Sequence, residues 1–211
     1  MIEPSFREKL KASLLTIAAR ILEAEGLEAL QARRVAREAG CSVGTLYNTF
    51  ESLDYLIIAA NARTLDDLGR ALIVARDASP RASSEVRLLA MAMAYLRFAM
   101  VHQKSWRAVF EHRMTSGQPV PEWYREAQAN QFGLVEEVLR DVMPEPKSRS
   151  SAARALFSAV HGIVALALDH KLGEFHQAET EAQVRFVVTA AAQGLARAHG
   201  ERRAESGSKA P

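Results

Sequence analysis

Apolar residues recur every three or four positions along almost the whole chain, and no stretch alternates apolar and polar residues long enough to make a strand. The pattern predicts an all-α protein. Phe6, Leu10, Leu14, Ile17 and Ile21 share one face of a first helix from Phe6 to Glu25, opened by Ser5 and Glu8 as a capping box and stopped by Gly26. A short piece from Ala32 to Ala39 closes in the same way at Gly40. Ser42 caps a very short third helix, which must end before Glu51 because Ser52 caps the next.

From Leu53 a long amphipathic helix carries Leu56, Ile57, Ala60, Leu65, Leu68 and Leu72 as far as Arg76, and Asp77-Ala78-Ser79-Pro80 breaks it. Beyond it the pattern predicts helices over Ser84 to Gln103, Ser105 to Ser116, Pro121 to Val142, Ser148 to Leu172 and Glu179 to His199, nine in all. Gly200 to Pro211 is polar, of mixed charge and without an apolar stripe, and reads as a flexible tail. The expected organisation is an N-terminal three-helix domain over 1–52, a six-helix domain over 53–199 and the tail over 200–211.

The segment most informative about function runs from Arg33 to Phe50. Two short helices meet at a glycine turn, with Val35, Ala36, Ala39, Leu46 and Phe50 suited to the interior, which is a helix-turn-helix pattern. A second helix that enters the major groove needs small or hydrogen-bonding side chains near its start. Ser42, Val43, Gly44, Thr45, Tyr47 and Asn48 form that candidate reading surface, and Arg33 and Arg34, helped by helix N-terminal amides, are candidate phosphate contacts.

Ala36, Ala39, Gly40, Cys41, Ser42, Gly44, Leu46, Tyr47 and Phe50 together reproduce the N-terminal signature of the TetR-like transcriptional regulators. The chain resembles that family from about Phe6 to Asn61, and in helix count and length. Phe157 to Gly162, continuing to Leu172-Gly173, further resembles a subgroup with a C-terminal Trp-His-Gly signature, with Val160 in the place of the tryptophan. The resemblance implies a ligand-releasable repressor that acts as a homodimer on a palindromic double-stranded DNA operator. A small-molecule binding protein without DNA readout is the alternative. Two lysines common in the family, at the second position of the recognition helix and at the start of the following helix, are Val43 and Leu53 here.

Charge changes the picture only locally. The chain carries 27 Lys and Arg against 25 Asp and Glu, and residues 1–60 sum to −1, so no polycationic surface drives DNA binding. The hydrophobic share of 48% fits a globular protein and excludes a disordered one. A single cysteine, Cys41, excludes an intrachain disulfide, and its apolar turn position fits the core. With Met1-Ile2-Glu3-Pro4 in place of a basic and apolar leader, the chain reads as cytoplasmic. The longest apolar stretch, Ala155 to Leu168, falls short of a membrane span and reads as a buried helix.

No two histidines lie three or four apart on a helix and no Glu-x-x-His occurs, so neither metal nor cofactor is expected. There is no nucleophile elbow and no phosphate-cradling glycine loop, and no catalytic role is expected. The fifth helix, apolar nearly all round, should be central in the second domain. Met93, Arg97, Met100, His102, Trp106, Phe110, Met114, Trp123, Phe132 and His161 are candidates to line a pocket for a small, largely apolar effector. Val160, Val164, Leu168, Val184, Val187 and Ala191 place apolar surface on the last two helices and are the candidate dimer interface.

Overall fold

The computed structural model describes residues 5–115, 117–171 and 173–207, with side chains as far as 198. The first four residues, the expected helix ends at Ser116 and Leu172, and the last four residues of the expected tail lie outside the described residues. The elements are α1 (Phe6–Glu25), a 3₁₀ turn (Leu27–Ala29), α2 (Ala32–Glu38), α3 (Val43–Phe50), α4 (Leu53–Asp77), α5 (Ser84–Val101), α6 (Gln103–Glu111), α7 (Glu122–Leu139), α8 (Pro146–Leu168) and α9 (Gln177–Gly207). No strand occurs among the described residues. The fold is all-α.

The chain forms two compact units, and neither is a continuous segment: one contains residues 1–67 with 101–128, the other 68–100 with 129–211. In the first unit, Leu14, Ala18, Ile21 and Leu22 of α1 meet Val35 and Ala36 of α2, Leu46 and Phe50 of α3, and Leu56, Ile57 and Ala60 of α4. Ala108 of α6 belongs to the same cluster. The polar groups explain why α6 is here. Glu23 of α1 accepts from Ser105 Oγ and lies 2.8 Å from His102 Nδ1, Lys104 Nζ donates to Ala24 O at 2.6 Å, and the fully buried Asn61 donates to Ala108 O at 2.9 Å.

In the second unit α5 is the central helix, with nine buried residues from Leu88 to Ala99, and α8 packs along α9. Pro146 at the first position of α8 and the Glu145 carboxylate on the amides of Lys147 and Ser148 start that helix two residues earlier than the pattern predicts. At 23 residues α8 is long and apolar enough to cross a membrane. The sequence stretch alone fell short because the helix extends beyond it. Its Ala153, Leu156, Val160, Val164 and Leu168 are buried within the chain.

Two further differences have local causes. α6 ends at Glu111, before the expected Ser116, because the chain beyond it is held elsewhere: Thr115 N donates to Asp54 Oδ2 at 3.1 Å and Ser52 Oγ donates to Gln118 Oε1 at 3.1 Å. α9 continues to Gly207, past the tail expected from Gly200. Glu201, Arg202, Arg203, Ala204 and Glu205 all favour helix, so the backbone propagates without an apolar stripe.

Candidate nucleic-acid interface

α3 is held by its two ends and one face. Gly40 has φ 68°, in the left-handed region that glycine enters at no steric cost, and lets Cys41 N reach back to Ala36 O at 2.9 Å to close α2. Ser42 then caps α3, its Oγ accepting from Thr45 N at 3.0 Å and hydrogen-bonded to Thr45 Oγ1 at 2.8 Å. Leu46 and Phe50, one turn apart, anchor the helix at 0% and 6% exposure. The opposite face follows from helical spacing: Gly44, Tyr47 and Asn48 are exposed, while Val43 and Thr45 are half-buried at its edge. This face presents a phenol, a carboxamide and an open stretch of backbone. Those groups can donate to and accept from base edges and phosphates.

The cations divide into two groups. Arg33 and Arg37 are exposed and one turn apart on α2. Arg34, expected beside Arg33 at the phosphates, is paired within the head: its guanidinium grips both oxygens of Glu25 at the end of α1, one at 2.7 Å, and its Nε donates to Glu38 at 3.1 Å. Glu38 also holds Arg20 of α1. The bonds to Glu25 and then Glu38 push the Arg34 pKa up, and the same bond holds Glu25 below the usual carboxylate range. The i,i+4 spacing of Arg34 and Glu38 was the signal in the sequence. Glu25 joins across a turn that spacing alone does not resolve.

Residues 14–60 match the family described as bacterial regulatory proteins of the tetR family, and residues 88–199 match the tetracyclin repressor-like C-terminal domain. The chain belongs to the TetR family of transcriptional regulators. An uncharacterized HTH-type transcriptional regulator of Mycobacterium tuberculosis is 29% identical over 187 residues, covering 89% of this chain and 82% of that one. A protein of unknown function from Rhodococcus sp. RHA1 has a similar structure, with a TM-score of 0.68, 26% identity, and coverage of 93% and 98% of the two chains. A tetR-family transcriptional regulator from Streptomyces coelicolor shares the fold at a TM-score of 0.66, with 19% identity and coverage of 91% and 88%. TetR-family regulators bind DNA and ligands and act as dimers, and are generally not enzymes.

In this TetR-family regulator the expected pocket residues are divided between the two units. Met93, Arg97, Met100, Phe132 and His161 fall in the second unit; His102, Trp106, Phe110, Met114 and Trp123 fall in the first. Within the first unit α6 docks on α1, which commits His102 to Glu23. Arg97 is exposed, as are Phe110 at 40% and Trp123 at 45%, while Trp106 is buried edge-on to Phe110. The second unit adds two residues that helical pattern alone did not single out. His161 stacks on Phe157 at 5.4 Å and its Nδ1 lies 2.8 Å from the buried Tyr95 hydroxyl; Phe132 meets Phe157 edge-on at 5.3 Å. Burial pushes the His161 pKa down, which favours the neutral imidazole.

Four of the six expected dimer residues need correction. Val160, Val164, Leu168 and Val184 are buried within the single chain, and Val187 and Ala191 are half-buried. A buried side chain cannot also meet a second copy. The outward row of α9 carries Ala178, Ala182, Phe186 and Ala190, one turn apart, with Arg185, Thr189 and Gln193 beside them, and Phe186 is 75% exposed.

Proposed function

We propose that this regulator is a cytoplasmic repressor that binds a palindromic operator as a homodimer and is released by a small, largely apolar effector. The observation that carries the reading is the outward face of α3, where Tyr47 and Asn48 stand exposed on a helix pinned by Leu46 and Phe50. Thr45, Tyr47 and Asn48 read bases; Arg33 and Arg37 hold phosphates. The second copy docks on the outer face of α9 through Phe186, Ala182 and Ala190. Two α3 helices must then stand about 34 Å apart to enter successive major grooves.

The effector site is built in the second unit around Tyr95, Phe132, Phe157 and His161, whose rings supply apolar area and whose polar atoms fix orientation. α4 is the lever: its first turn follows α3 and its last turns belong to the second unit. An effector that prefers the DNA-incompetent spacing lowers operator affinity, and operator must then lower effector affinity by the same factor.

The test is a gel shift of the full chain with DNA from upstream of its own gene. A shifted band that Asn48→Ala weakens on that fragment more than on random duplex supports base reading. Pairing of Arg20 and Arg34 with carboxylates favours a second reading, an effector-binding protein whose head no longer reads DNA. Absence of any shift at low salt selects that reading.

A further inference from the structure

We infer that Lys11 of α1 is a phosphate-contacting residue of the DNA interface, bracketing α3 from a different helix than Arg33 and Arg37. The inference rests on the DNA-binding reading above. A helix lying in the major groove is flanked by phosphates, and cations that hold it must sit close to it, on rigid elements, with their charge turned outward.

The corner where α3 passes into α4 offers no cation of its own. Leu53 is apolar and half-buried, and Glu51 and Asp54 are acidic. Lys11 supplies one from outside: it is exposed, and its ammonium lies 5.7 Å from the centroid of the Phe50 ring at the end of α3. Its backbone is one turn from the fully buried Leu14, so the stem is carried on a fixed part of α1. A loose contact with an aromatic face leaves the ammonium hydrated and able to meet an anion.

The acids close by are turned to other partners. Glu8, three residues before Lys11, accepts from Ser5 N at 2.7 Å and from Ser5 Oγ at 2.8 Å. Asp54 accepts from Thr115 N and faces His112 Nε2 at 3.3 Å. Glu51 is the remaining competitor, and the experiment separates it from a phosphate.

The full chain is titrated with a random-sequence duplex of about 30 base pairs, long enough for two major-groove contacts one turn apart, over a salt series. Each phosphate contact adds about 0.9 to the slope of log affinity against log salt. In the proposed homodimer Lys11→Gln removes two such contacts, one from each protomer, and should lower that slope by about 1.8 and weaken binding to random and upstream DNA alike. Lys11→Arg should restore both. Lys9→Gln, two residues away and turned about 200° around α1, should leave the slope unchanged. A wild-type slope in Lys11→Gln overturns the inference and leaves DNA binding standing, as expected if Lys11 pairs with Glu51. An equal loss in Lys9→Gln overturns it in favour of diffuse charge. Failure of the wild-type chain to bind any duplex overturns this inference and the proposed function together.

Discussion

α3 and α9 each bury one face, yet they differ in what their outward faces leave to water. On α3 the apolar residues Leu46 and Phe50 are inside, and Tyr47, the aromatic left outside at 42%, carries a hydroxyl. On α9 Val184 and Val188 are inside at 0% and 2%, but Phe186 between them is 75% exposed in a row of alanines. The contrast separates two kinds of surface. A face of hydrogen-bonding groups over a closed core suits a polar partner that comes and goes, whereas a phenyl ring among small side chains suits close apposition of a second helix.

The largest effect expected from breaking this contrast is in the head. Leu46→Ala should cost about 2–5 kcal/mol by removing a buried side chain and leaving a cavity, read as a lowered denaturation midpoint for the head. An unchanged midpoint would mean that α3 is not anchored by its core face. Phe186→Glu comes next. It should leave helix content intact but shift the chain to monomer in sedimentation at micromolar concentration. A persistent dimer would place the interface elsewhere.

The smallest effect compares the units through one histidine in each. Burial lowers the pKa of His112 in the first unit, against the opposing pull of Asp54, and of His161 in the second. The unfolded chain therefore takes up protons first. Stability should be full above the ordinary imidazole value of about 6.5 and decline as pH falls below it toward the depressed folded values. His161→Gln should flatten the part of that decline belonging to the second unit, measured by thermal melts between neutral and mildly acid pH. A wild-type pH profile in that variant would mean that His161 does not carry it.

The head was legible in the sequence because its requirements are local. Ser42 caps three residues ahead, Gly40 supplies one positive φ, and Leu46 and Phe50 are one turn apart. The place of α6 was not legible, because Glu23 and Ser105 are 82 residues apart in the sequence and nothing in helical period reports their pairing. The carboxylate partners of Arg34 were hidden for a related reason: an arginine on an exposed helix reads the same whether a phosphate or Glu25 awaits it. Val160 and Val184 show the limit of apolar stripes, since a stripe says that something covers it and not whether the cover is the same chain.

The docking of α6 on α1 also makes this reading head a poor modular part. A contiguous graft of residues 1–60 onto another effector domain leaves behind Ala108, which belongs to the head's core, and leaves Glu23 without Ser105 and His102. The transplanted α1 would carry a bare apolar spot beside a carboxylate that has exchanged its protein partners for water. A working chimera therefore has two splice points, bringing residues 101–128 along with the head, or else a redesigned outer surface on α1.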